Sequence, residues 1–440
     1  MVSYFNEIDK INFAGPDTEK QLAYRYYDAN RMVLNKTMAE HLKIAVCYWH
    51  SFCWHGGDAF GAATRNLPWE AESNILKRYE NKLDAAIEFV TKLGVKYLTF
   101  HDIDLAPEGN SPQEYQYNLN HMVDKLGQKL NDNKLQVLWG TANVFSHPRY
   151  MSGAATNPNP EIFARAAFQV KNALTATKNL GGLGYVLWGG REGYDTTLNT
   201  NIAQELEQLG RFLTLVAEYK HKIGFKGSLY IEPKPCEPTK RQYDFDAATV
   251  YALLQKFDLV QEYKLNLEAN HATLAGHSFT DEIAYACANN LLGSIDINRG
   301  DAQNGWDTDQ FPNSVEEMAL VLYEIFRHGG LTNGGFNFDA KVRRQSNSLH
   351  DMFYAHVGAI DVLAKSLLAA EELIVNKRLS DNISSRYSGW QTSLGSNILQ
   401  GKVSLEDLAK FVVENNKEVN PPSGQQELCE NIVNQAIWKK

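Results

Sequence analysis

The chain has 440 residues, 44% hydrophobic and 22% charged, which is an ordinary globular balance and long enough for a large buried core. Its net charge is −9, and it has no Lys/Arg run beyond pairs such as Arg343-Arg344 and Lys439-Lys440, which excludes a basic nucleic-acid surface. The five cysteines (Cys47, Cys53, Cys236, Cys287, Cys429) are scattered with no CxxC pair, which excludes a disulfide scaffold. No apolar run approaches the roughly 18 residues of a membrane span. Met1 to Lys10 carries Glu7 and Asp9 and no apolar stretch, so no secretory signal is read there. A reduced, cytoplasmic protein is the expectation.

Residues 1–42 precede the first strand and read as an N-terminal extension. Short apolar runs then recur in chain order: Lys43–Tyr48, Lys96–Phe100, Leu135–Trp139, Tyr185–Trp188, Ser228–Ile231, Lys264–Leu267, Leu291–Ile297 and Gly335–Phe338. Their length and their β-branched and aromatic content predict buried parallel strands. Helical periodicity fills the gaps, with Ala71–Leu93, Asn201–Lys220 and Ser314–His328 the clearest stretches. Strand and helix alternating at this rhythm predict βαβ units, and eight of them predict a closed (β/α)₈ TIM barrel over 43–348. Residues 349–440 contain no further strand. They read as the last barrel helix and a helical arm, with Ala359–Asn376 and Leu405–Asn415 helical and the polar Ser380–Ser396 between them. An arm with little core of its own implies a partner subunit.

In a barrel of this kind, residues at the C-terminal strand ends converge on one mouth. Strand five ends in Glu232-Pro233-Lys234, strand six in Glu268-Ala269-Asn270-His271, strand seven carries Asp296, and strand eight ends in Asp339. Any one of these acids alone reads as structural. Four carboxylates at one spot repel, and bound divalent cations are the simplest remedy. Oxygen ligands with one imidazole suit Mg²⁺ most, with Mn²⁺ or Co²⁺ possible. Asp307 and Asp309, one residue apart, can face the same way from an extended loop. With Glu268 as a bridge and His271, they form a second site, whereas Asp301 reads as loop or cap. Across the mouth, His101 beside Asp104 reads as a proton shuttle, and the Lys234 ammonium can stabilise developing charge. Trp49, Phe145 and Trp188 fall at the ends of strands one, three and four, as walls for a small polyol.

With these residues assembled, the sequence resembles the xylose isomerase family, in its longer class with an N-terminal extension. The matching stretches are FHDIDLAPEG (100–109), VLWGGREGY (186–194), YIEPKPCEPTKRQYDFD (230–246), NLEANHATLAGHSF (266–279), SIDINRGDAQNGWDTDQFP (294–312) and GGFNFDAKVRR (334–344). The resemblance implies one metal on Glu232, Glu268, Asp296 and Asp339 and a second on Glu268, His271, Asp307 and Asp309. It implies ring opening assisted by His101 and Asp104, with Lys234 on the oxygen near the reacting carbonyl. A metal-assisted hydride shift between C2 and C1 follows, converting D-xylose to D-xylulose and D-glucose to D-fructose more slowly. Phe60, within WHGGDAFGAATRN (54–66), resembles an aromatic lent to a neighbouring subunit's site, so a homotetramer is implied. The resemblance also implies a cis bond at Glu232–Pro233. Leu187 and Arg241 depart from the family's Phe and His, and Ser346–His350 matches loosely. The alternatives are a metal-dependent hydrolase or endonuclease on a related barrel and a non-catalytic sugar-binding protein. The acidic charge opposes the endonuclease, and the crowded acids oppose the non-catalytic protein.

Overall fold

The structure, a computed structural model, describes residues 3–439. Eight parallel strands close into one barrel in chain order: β1 (Ile44–Cys47), β2 (Tyr97–His101), β3 (Gln136–Thr141), β4 (Gly184–Trp188), β5 (Ser228–Glu232), β6 (Tyr263–Glu268), β7 (Leu292–Asp296) and β8 (Phe336–Phe338). Pairing of β8 with β1, as Phe336 to Ile44 and Phe338 to Val46, completes the ring. The strands are almost wholly buried because helices cover their outer faces. Ala45, Leu138, Trp139, Val186 and Tyr230 form a separate core inside the ring, so the barrel is packed through rather than open.

A helix follows each strand: α1 (Ile75–Leu93), α2 (Pro112–Asn133), α3 (Pro160–Asn179), α4 (Ile202–Ile223), α5 (Ala247–Lys256), α6 (Phe279–Ala288), α7 (Val315–Arg327) and α8 (Leu349–Asn376). Each starts at an Asn, Ser or Asp whose side chain accepts a backbone N–H of the first turn. That chemistry moves the first predicted helix from Ala71 to Ile75, because Asn74 is the cap. At the other end, α4 continues past Lys220 until Gly224 takes φ 68°, a left-handed stop that suits glycine.

The N-terminal extension is stitched to the outside of the barrel. Phe5, Ile8, Ile11, Tyr24 and Tyr27 are buried against it. The Asp361 carboxylate on α8 accepts the backbone N–H groups of Arg25, Tyr26 and Tyr27. Beyond α8 the chain forms α9 (Arg378–Arg386), α10 (Ser393–Leu399), α11 (Leu405–Asn415) and α12 (Gln426–Trp438). The polar stretch Ser380–Ser396 is therefore mainly helical rather than a spacer. Its periodicity is silent because Leu379 is the only residue that α9 buries. α12 returns to the body and buries Ile432, Val433 and Ala436, whereas α11 buries nothing within the chain. The five cysteines are free, and no helix among the described residues is long and apolar enough to cross a membrane.

Candidate active site

Strand register brings the acids together. Glu232, Glu268 and Asp296 are the last residues of β5, β6 and β7; Glu268 pairs with Asp296, and Glu232 pairs with Trp188 at the end of β4. Asp339 directly follows β8. One oxygen from each of Glu232, Glu268, Asp296 and Asp339 lies within 4.8 Å of the others. Glu268, Asp307 and Asp309 form a second such set. His271 comes from the helical turn Ala269–Leu274 after β6, and one of its ring nitrogens lies within 4.8 Å of an oxygen of both Glu232 and Glu268. Its Nε2 is 3.0 Å from Glu268 and 3.3 Å from Asp307, so it joins the second set through those two acids.

The loop that carries Asp307 and Asp309 is not the extended segment expected from their spacing, since Asp309 has φ 43°. Both carboxylates reach the mouth because the Arg343 guanidinium donates to the carbonyls of Thr308 and Asp309 and pins the turn. Asp301 accepts the N–H of Gln303 as a local loop cap.

The electrostatics are lopsided. Burial, then the charges of Asp296 and Asp339, push Glu232 well above the carboxylate range. Burial, then Asp307 and Asp339, do the same to Glu268, and burial with Asp339 raises Asp296. For Asp307 burial acts upward, but the Lys234 ammonium at 2.7 Å overrides it and holds the acid low. Lys234 is itself kept charged: burial opposes this, and Asp307 and Glu268 win. Asp296 Oδ2 and His271 Nδ1 are buried without a hydrogen-bond partner among the described residues. Crowded oxygens with unmet lone pairs fit hard divalent cations, and the absence of a thiolate from the set argues against structural zinc.

Glu232, Glu268, Asp307, Asp309 and Asp339 line a cavity of about 440 Å³, with Asp296 buried behind them. On its far side, His101 Nδ1 lies 2.9 Å from Asp104 Oδ2, leaving Nε2 as the nitrogen available to a ligand. The Trp49 ring meets His101 at 4.4 Å between centroids, Phe145 meets His101 at 5.7 Å, and Phe145 meets Trp188 at 4.4 Å. Lys234 sits 5.3 Å from the Trp188 ring centre. Phe60 does not line this cavity. It projects from its loop with 90% of its surface exposed.

Several residues at the mouth escaped the sequence reading. His50 Nε2 lies 3.0 Å from Asp339 and 3.2 Å from Asp309, joining one acid of each set. Burial acts against its protonation, but those two hydrogen bonds carry its pKa up to about 9. Lys341 donates to Asp309 at 2.6 Å, and Glu237 accepts the N–H of Asp307. Trp139 and Val186 also line the cavity. The rule that found the acids, position at a strand exit, would have flagged His50 and Lys341. The cis bond expected at Glu232–Pro233 lies at Glu237–Pro238 instead. Glu232 is still paired in the sheet, and the chain turns only beyond Pro235.

The chain is similar to curated proteins along its whole length. It is 60% identical to a xylose isomerase of Haemophilus influenzae over 438 residues and 59% identical to one of Mannheimia succiniciproducens over 439, covering 100% of both chains in each case. A family model described as the XylA2 C-terminal domain matches residues 383–437, the arm. A crystal structure from Rhodospirillum rubrum, provisionally assigned as a xylose isomerase, superposes with a TM-score of 0.51 at 15% identity, over 73% of this chain and 98% of that one, and supports the barrel fold. By its full-length identity to these relatives, the protein belongs to the xylose isomerase family.

Proposed function

We propose that this protein interconverts D-xylose and D-xylulose, and D-glucose and D-fructose more slowly, with two divalent cations per subunit. The observation that carries the reading is one cavity with two carboxylate sets sharing Glu268 on one side and the His101–Asp104 pair on the other. Glu232, Glu268, Asp296 and Asp339 would hold one cation; Glu268, His271, Asp307 and Asp309 would hold the other. Mg²⁺ suits the donor set best, and Mn²⁺ or Co²⁺ also fits. Bound there, the cations supply Lewis acidity toward the two sugar oxygens that exchange roles.

The chain's own residues do the rest. Asp104 fixes the His101 ring so that Nε2 can move a proton during opening of the sugar. Lys234, held charged, donates to the oxygen beside the reacting carbonyl and stabilises charge that develops on it. The Trp49, Phe145 and Trp188 walls limit water, so the hydrogen on C2 passes to C1 rather than exchanging with solvent. Phe60 would complete the cavity of a neighbouring subunit in a cytoplasmic homotetramer built partly through the C-terminal arm. The hydrolase or endonuclease reading has no support: the full-length relatives are isomerases by name, and the cavity ammonium groups of Lys234 and Lys341 are paired with acids.

The test is conversion of D-xylose to D-xylulose with and without Mg²⁺. EDTA should abolish turnover and Mg²⁺ should restore it; turnover that survives exhaustive chelation would refute the metal requirement. In D₂O the product should carry little deuterium at C1, and full incorporation would replace the hydride shift with an enediol route.

A further inference from the structure

One acid at the barrel mouth has no part in the chemistry above. Asp102, between His101 and Ile103 at the exit of β2, is 0% exposed. Its Oδ1 accepts the backbone N–H of Asn143 at 2.8 Å, and its Oδ2 accepts Tyr115 Oη–H and Gln169 Nε2–H, each at 2.7 Å. Gln169 Nε2 also donates to the carbonyl of Asn143 at 2.9 Å, and Gln169 Oε1 accepts Tyr150 Oη–H. Both backbone polar groups of Asn143 are thus held by one buried network.

The consequence falls on Phe145. The Asn143 Oδ1 accepts the N–H groups of Phe145 and Ser146, and its Nδ2 donates to Ser146 Oγ. Arg191 Nε donates to the Phe145 carbonyl. The ring held in this way rests edge-on against His101 and Trp188. Burying a carboxylate is unfavourable before its bonds are counted, and apolar packing would hold two helices together at lower cost. What apolar packing cannot supply is direction, and this network is directional: it ties α2 and α3 to the exit of β3, within a few residues of His101 and Phe145.

We propose that Asp102 and Gln169 are positioning residues, which fix the β3 exit so that Phe145 and His101 keep their spacing around a ring-closed sugar. The proposal rests on the sugar-isomerase reading. It extends that reading from the residues that touch substrate to those that aim them.

The test uses the full-length, Mg²⁺-loaded protein with Gln169→Leu, Tyr115→Phe and Asp102→Asn. Steady-state kinetics on D-xylose are paired with calorimetric binding of 1,5-anhydro-D-xylitol, a closed ring that cannot open. Gln169→Leu should raise KM and the Kd of the anhydro sugar together, by about tenfold, with kcat held within about threefold. Tyr115→Phe, which leaves the Asp102–Asn143 bond intact, should do less. Unchanged KM and Kd with a lowered melting temperature would overturn the proposal, since the network would then be structural alone. A fall in kcat with KM and Kd unmoved would overturn it equally. Should Asp102→Asn fail to fold, the other two variants carry the test. Wild-type turnover of D-xylose in the same assay separates failure of this inference from failure of the isomerase reading.

Discussion

At His50, a single imidazole nitrogen faces Asp339 from one acid set and Asp309 from the other. That contact explains why Asp339 stays low despite burial, whereas Asp296 beside it is raised. Glu268 has the converse position, shared between both sets. Replacing Glu268 with Gln should therefore cost both cations at least about hundredfold in affinity, whereas Asp307→Ala should spare the Glu232, Asp296 and Asp339 set. Calorimetric titration of the metal-free protein with Mn²⁺ separates these outcomes, and equal losses in both variants would refute the shared ligand. A second residue, far from the mouth, sets a pH dependence. His356 is buried among Phe89, Phe311 and Phe338, and that burial pushes its pKa from 6.5 down to about 4, with only the Met352 carbonyl opposing. The folded state prefers the neutral ring, so this contribution is complete above pH 6.5 and is lost as pH falls toward 4. The loss amounts to about 3 kcal/mol. Urea unfolding of His356→Leu and wild type at pH 7 and pH 4 checks it: the wild type should lose about that much more between the two, and parallel losses would dismiss the imidazole as the cause.

Among the elements, the N-terminal extension and the arm make opposite demands on the barrel. The extension is fastened by buried side chains and by three N–H groups converging on Asp361. Removing that acceptor with Asp361→Ala should speed hydrogen exchange at Arg25, Tyr26 and Tyr27 about tenfold to hundredfold while exchange in the barrel strands stays unchanged. Unaltered exchange at those amides would mean that packing alone holds the segment. The arm is anchored at its end by α12, but α11 leaves Leu405, Val412 and Val413 in solvent. In the homotetramer proposed above, these exposed apolar side chains would be covered by a neighbouring subunit. The double substitution Val412→Asp and Val413→Asp should lower the mass seen by light scattering and leave the far-ultraviolet circular dichroism intact. A mass equal to that of the wild type would remove α11 from the subunit contact.

For the molecule as a whole, stability and the acid sets are linked. Glu232, Glu268 and Asp296 have raised folded pKa values, so in the metal-free protein they favour folding at acid pH and penalise it as pH rises above the usual carboxylate range. Cations that bind only the folded state reverse that penalty, by about 2.7 kcal/mol when present at 100 times their Kd. The gain in melting temperature on adding Mg²⁺ should therefore be larger at pH 8 than at pH 5. A gain independent of pH would show that the acids do not compete with protons for the metal.

Local pattern was enough for the strands, the capped helices and the acids at the ends of β5 to β8, because burial between a sheet and its helices writes apolar runs into the chain and a barrel mouth collects whatever follows them. His101 and Asp104 were legible for the same reason. The grouping of Asp307 and Asp309 with Glu268 was legible too, but tertiary structure alone decided how they meet, through a turn that Arg343 sets from beyond β8 rather than through an extended loop. It alone placed His50 between Asp309 and Asp339, and it alone tied Asp102 to Asn143 and Gln169, residues 41 and 67 positions away in the chain. A sequence specifies which groups lie at strand ends; the charge each one carries depends on neighbours that only the closed ring brings within hydrogen-bonding distance.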